Sequence, residues 1–187
     1  MPLTTYTAGE VLTAASLNAN LSFAASGGMT VISSGSLTGA SVAITGIAGY
    51  KNLQLQLANF FPATSGQSVI IRLNNDSTAS QYQKLWNRSS NATVLTNSDT
   101  GWILDDGVTN QGNTSTTTAC VFNVYNVADT TAHKMADLNF YYTSTTPAAI
   151  IVYGNGRYKS TTAVTQVNIL TTSGNFGGGT YILYGIN

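Results

Sequence analysis

The feature that most constrains this chain is an alternation of apolar and polar residues with a period of two. Leu53, Leu55 and Leu57 alternate with Asn52, Gln54 and Gln56. Successive strand side chains point to opposite faces, so such a run has one buried face and one wet face. Val69, Ile71 and Leu73 repeat the pattern around Arg72, and Cys120, Phe122 and Val124 share a face with Asn123 turned the other way. Leu138, Phe140 and Tyr142 do the same. Val42-Ala43-Ile44, Ile150-Ile151-Val152-Tyr153, Val167 with Ile169, and the closing Tyr181-Ile182-Leu183-Tyr184-Gly185-Ile186 complete a set of at least eight strands of four to seven residues.

Turn residues separate these runs. Asn74-Asn75-Asp76, Asp105-Asp106-Gly107, Asn155-Gly156 and Gly177-Gly178-Gly179 tolerate positive φ or bond their own backbone. Asn155-Gly156 has the chemistry of a two-residue hairpin turn. Residues 89–118 are poor in core side chains apart from Trp102-Ile103-Leu104 and read as a long surface excursion. Parallel strands need long crossovers, usually helical, and none alternates with these strands. The expected fold is therefore all-β, an antiparallel jelly-roll-like sandwich.

Residues 1–28 have a different character. Thr7-Ala8-Gly9-Glu10 has capping-box spacing, and an Ala- and Leu-rich stretch follows. Ala14, Leu17 and Leu21 fall on one helical face, with Asn18 beside them. A helix this short is marginal alone in water and has to pack on something. That something is either its own domain or another protein. Ser26-Gly27-Gly28 reads as a hinge, dividing a short helical or extended anchor at 1–28 from a β-domain at 29–187. In the anchor, Val11, Leu12, Leu17 and Leu21 are the candidate interaction residues.

Charged residues are only 7% of the chain, with seven basic against seven acidic and a formal net charge of +0. Ordinary soluble domains carry about 25%. Near-zero net charge promotes association, and uncharged polar surface is cheap to desolvate, so an oligomer or lattice component is expected. The basic residues are scattered from Lys51 to Lys159 with no two adjacent. Nucleic-acid binding needs them clustered, so none is expected. No apolar run approaches the roughly 20 residues that span a bilayer, and Met1-Pro2-Leu3-Thr4-Thr5-Tyr6 lacks the basic start of a secretory signal. The single cysteine, Cys120, precludes an internal disulfide framework. Synthesis and folding in a reducing cytoplasm follow from this reading.

Catalytic chemistry finds little support. The one histidine, His133, reads as a surface residue in a turn, and no Gly-x-Ser-x-Gly elbow accompanies it. One His and one Cys cannot build a multi-histidine or cysteine metal site. Asp105-Asp106-Gly107 and Asn74-Asn75-Asp76 lack the spaced ligands and distal Glu of a calcium loop, since the only Glu is Glu10. No catalytic residue, cofactor or metal is expected. Aromatic residues are the more informative set: ten tyrosines are present, and Trp86, Trp102, Tyr141, Tyr153 and Tyr158 are candidates for partial exposure, as interface anchors or sugar-stacking rings.

Two segments carry a resemblance. The opening Tyr6-Thr7-Ala8-Gly9-Glu10-Val11-Leu12-Thr13-Ala14-Ala15-Ser16-Leu17-Asn18 resembles the N-terminal anchor of phage fibre and structural proteins. The β portion is similar to small bacteriophage virion surface proteins through Gly49-Tyr50-Lys51-Asn52-Leu53-Gln54-Leu55, through Ile71-Arg72-Leu73-Asn74-Asn75-Asp76 with Tyr82, and through the ending 179–186. The resemblance implies a homotrimer whose N-terminal segment attaches to the virion, with major capsid protein or other virion proteins as partners. It implies either a capsid decoration (cement) protein or a tail fibre that recognises a host glycan or protein. A single β-domain without a repeat shaft favours the first, and a glycan-degrading enzyme built on an aspartate pair is a third reading.

Overall fold

The computed structural model describes residues 13–15, 17–18, 28–89, 93–105 (93–98 as backbone), 111–113, 118–145 and 148–187. Its strands are β1 (Met29–Ser36), β2 (Ser41–Thr45), β3 (Asn52–Pro62), β4 (Val69–Leu73), β5 (Tyr82–Arg88) and β6 (Thr93–Asp99). They continue with β7 (Trp102–Ile103), β8 (Ala119–Tyr125), β9 (Lys134–Thr143), β10 (Ala149–Tyr158), β11 (Gln166–Thr171) and β12 (Phe176–Ile186). These form an eight-stranded sheet in the order β1-β12-β3-β8-β9-β10-β5-β6 and a four-stranded sheet in the order β2-β11-β4-β7.

The path between sheets defines the architecture. The chain alternates from the large sheet to the small one through β1, β2, β3 and β4, and again through β7, β8, β11 and β12. Two antiparallel pairs, β5 with β6 and β9 with β10, extend the large sheet beyond β8. Without them, β1-β12-β3-β8 faces β2-β11-β4-β7, the two four-stranded layers of a jelly roll. The fold is thus the antiparallel sandwich expected from the period-two pattern.

The alternation sorts side chains as anticipated. Leu53, Leu55 and Leu57 of β3 are buried with Cys120, Phe122 and Val124 of β8 and with Leu138, Phe140 and Tyr142 of β9. They pack between the sheets with Ile44, Ile71, Val167 and Ile169 from the small one. A ring cluster fills the far end: Trp102 lies 5.1 Å from Tyr82 and 5.3 Å from Phe122, centroid to centroid, and Tyr82 stacks on Tyr158 at 4.7 Å. Tyr82 also ties the sheets by hydrogen bonds: its hydroxyl donates to the Leu73 carbonyl at 3.1 Å and accepts from the Leu73 amide at 2.9 Å.

Several sequence readings are corrected. Asn155-Gly156 is not a turn but the middle of β10, paired with Asp137 and Ala136 on one side and Leu85 and Lys84 on the other. Gly156 is there because a Cβ would lie 2.6 Å from the Trp102 indole nitrogen. The glycine serves close approach, which sequence cannot separate from turn chemistry. Gly177-Gly178-Gly179 likewise lies inside β12, where the register against β3 shifts twice. A Cβ on Gly177 would meet the Phe61 ring at 2.3 Å, and Gly179 has φ +123° above Phe60. Residues 89–118 contain β6 and β7, and Trp102 and Leu104 from this stretch are fully buried. Trp86 and Tyr158 are buried as well, so of the five aromatic candidates only Tyr141 and Tyr153 are exposed. Several strands also exceed seven residues: β9 and β10 have 10 and β3 and β12 have 11.

Asn74-Asn75-Asp76 is a turn, with φ of +54° and +53° at the two asparagines. Asp76 accepts from the Thr78 amide at 2.8 Å and from the Tyr158 hydroxyl at 2.7 Å. Partial burial works against its ionisation. The Thr78 and Tyr158 donors and the nearby Arg72 charge outweigh that and hold its pKa below the usual value. The unfolded chain therefore binds this proton more readily, so the stabilisation is present above about pH 4 and is lost as pH falls through the folded-state value. Denaturant midpoints measured stepwise from pH 5 to pH 2 should fall less steeply for Asp76→Asn than for the parent. Parallel curves would show that Asp76 contributes nothing to acid sensitivity.

Candidate interaction face

The outward side of the large sheet is where the sequence departs most from an ordinary wet surface. Strand register builds it row by row. Gln54, Asn123, Asp137, Asn155 and Leu85 lie side by side on β3, β8, β9, β10 and β5. The next row is Gln56, Val121, Asn139, Tyr153 and Asn87, and beyond it Ala58, Ala119, Tyr141 and Ile151. On the other side of the first row stand Tyr125, Met135, Arg157 and Gln83. Among the described residues, every exposed large apolar side chain except Leu17 belongs to this sheet: Val31, Leu85, Val121, Tyr125, Met135, Tyr141, Ile151 and Tyr153. Tyr153, at 52% exposure near the centre, protrudes most of the tyrosines. Two shallow hollows flank these projections, one over Gly156 between Leu85, Met135 and Arg157, the other over Ala58 and Ala119 beside Tyr141.

Many of the polar groups between them are bonded to one another. Gln56 donates to Gln54 at 2.9 Å, Gln54 to Asn123 at 3.0 Å, and Asn123 to Asp137 at 2.7 Å. The Tyr125 hydroxyl donates to the other Asp137 oxygen at 2.5 Å. That bond to the carboxylate, with some burial, pushes the Tyr125 phenol up to about 12. Arg157, the one cation of these rows, donates from Nε and Nη2 to Gln83 Oε1, the first at 2.8 Å. A polar group already satisfied within the protein loses less when water is removed from it. This face therefore combines apolar projections with polar rows that tolerate being covered.

Of the residues singled out from sequence, Tyr141 and Tyr153 lie on this face and the others lie elsewhere. Ala14, Ala15, Leu17 and Asn18 are helical, the Leu17 amide bonds the Thr13 carbonyl at 3.1 Å, and Leu17 is exposed. Val11, Leu12 and Leu21 lie outside the described residues. His133 is exposed immediately before β9. Asp105 turns inward: it is 1% exposed and accepts from the Ser68 hydroxyl. Among the described residues no group of three His, Cys, Asp or Glu gathers to hold a metal. Sequence reading picked out Tyr141 and Tyr153 but missed the rest of the sheet face, because along the strands it followed the inward positions. The signal was present at the intervening ones, where Val121, Tyr125, Met135, Tyr141, Ile151 and Tyr153 replace the charged residues of a usual wet face.

Fold and face together define the chain as an antiparallel jelly-roll sandwich whose larger sheet presents an almost uncharged, aromatic-rich surface. No family model matches the chain, and no curated protein matches it. Among solved structures it is similar to the Clostridium perfringens CspB protease, at 10% identity over 85% of this chain, with a TM-score of 0.24. It spans only 25% of that protease. The SPRY domain of human HERC1 aligns at 12% identity over 79% of this chain and 90% of its own, with a TM-score of 0.18. A structure of botulinum neurotoxin type C, described as entering cells through two ganglioside molecules, aligns at 9% identity over 80% of this chain and 38% of its own, with a TM-score of 0.19. Superpositions this loose carry no functional argument.

Proposed function

We propose that this chain is a non-enzymatic bacteriophage virion structural protein, a capsid decoration protein that stabilises the shell as a homotrimer. The observation that carries the assembly role is the outer face of the large sheet, with its exposed apolar side chains and its internally bonded amide rows. A solitary protein in solution gains nothing from such a face, whereas a subunit that is permanently covered does. The virion setting rests on the opening segment 6–18 and the β-domain motifs that resemble phage surface proteins. In this reading residues 3–25 attach to the particle, residues 29–187 form the body and most subunit contacts, and no nucleic acid or membrane insertion is involved.

Antibody labelling of intact particles tests the location. Label over the shell supports the reading, and label confined to the tail overturns it. A second experiment tests the division of labour. A chain starting at Met29, the first residue of β1, should remain folded and oligomeric yet fail to attach to particles lacking the native protein. Sedimentation and a reattachment assay read both outcomes.

The exposed ring of Tyr141 beside a shallow hollow, with the exposed Tyr153 ring on the next strand, favours one alternative, a tail fibre or receptor-binding protein that stacks a host glycan on this face. Soluble protein would then bind host cells and compete with infection.

A further inference from the structure

We infer that the outer face of the eight-stranded sheet is the contact between copies of this chain, its occupant being a second copy rather than a sugar or a charged partner. The inference deepens the assembly reading and rests on it.

Area is the first support. Eight strands of seven to eleven residues, spaced about 4.8 Å apart and rising about 3.3 Å per residue, give a face on the order of 1,000 Å² in plan. A specific stable interface needs about 800 Å² from each partner. Charge is the second. Asp137 and Arg157 are the ionised groups of the rows described above, one of each sign, and both are already bonded within the face. Such a surface has no net field with which to select an acidic or basic partner, and an adjoining copy of the chain, itself of formal net charge +0, can cover it without repulsion. Hydrogen bonding is the third. A sugar is recognised by polar groups left free to meet its hydroxyls, whereas Gln54 and Asn123 are each committed to neighbours through both amide atoms. Bonded amides between apolar knobs and hollows suit packing against protein, with aromatic anchors at the centre.

The test uses the full chain. The parent should sediment as an oligomer, and Tyr153→Asp and Ile151→Asp should each weaken self-association by roughly a hundredfold or more, because an unpaired carboxylate is then buried. Thr45→Asp, exposed on β2 of the other sheet, should leave the oligomer intact. A second readout does not depend on the charged variants folding. Cys120 is buried among core side chains, where desolvation raises its thiol pKa and leaves it inert. A thiol placed by Asn139→Cys therefore reports alone, and its maleimide reaction should slow as protein concentration rises. A monomeric parent, face variants that remain oligomeric, or a labelling rate independent of concentration overturns the inference. So does glycan binding by a monomeric parent that is lost in Tyr153→Ala. None of these results depends on where the protein sits on a particle, which the antibody label reads separately.

Discussion

Trp102→Ala is expected to be the most damaging single substitution, lowering unfolding free energy by about 3–5 kcal/mol. Trp102 belongs to the two-residue strand β7, which pairs with β4 at the end of the small sheet. Its side chain is fully buried and touches the rings of Tyr82, Phe122 and Tyr158, which come from three strands of the large sheet. Its indole nitrogen donates to the Gln83 carbonyl at 3.0 Å, so truncation removes a bond between sheets as well as core volume. The surrounding rings are held by their own strands and cannot collapse into the space, which places the cost near the upper end for cavity formation. Trp102→Phe keeps part of the packing and should lose less. Urea midpoints for the two variants decide the matter, and equal midpoints would show that the hydrogen bond, not the volume, is what matters.

Lys134→Met is expected to cost about 2–3 kcal/mol, even though it removes a buried charge and retains most of the side-chain volume. Lys134 is 0% exposed, and its ammonium donates to the carbonyls of Asp129, Ala132 (3.1 Å) and Thr161 (3.3 Å). It therefore joins the turn between β8 and β9 to the segment between β10 and β11. Methionine would leave these acceptors without their donor, while relief from burying the charge offsets part of the loss. The Asp129 carboxylate, which caps the Thr131 and Ala132 amides at 2.6 and 3.0 Å, keeps the turn itself in place. Hydrogen exchange at Ala132 and around Thr161 should therefore speed up more than exchange in β3 or β8. A variant as stable as the parent would mean that water replaces the ammonium at no cost.

The face variants and these core variants also separate two kinds of importance. Tyr153 and Ile151 are exposed within one chain, so their replacement should change association with little effect on the fold of the body. Trp102 and Lys134 should change stability whatever the state of assembly.

The all-β character, the inward faces of β3, β8 and β9, and the Asn74-Asn75 turn were determined by the sequence alone. A period of two can satisfy only a strand with one buried side, and paired asparagines tolerate positive φ at little cost. Glycine was ambiguous for a physical reason. The same missing Cβ serves a turn or a close approach, and at Gly156 and Gly177 only the rings of Trp102 and Phe61 on neighbouring segments decide which. The buried state of Trp86 and Tyr158 and the inward turn of Asp105 likewise depend on residues distant in sequence that cover them or bond to them. The interaction face belongs to the tertiary structure in the fullest sense. Tyr141 and Tyr153 stood out in the sequence as single rings, but Val121, Met135 and Ile151 did not, and only antiparallel register sets β8, β9 and β10 side by side and makes one surface of all five.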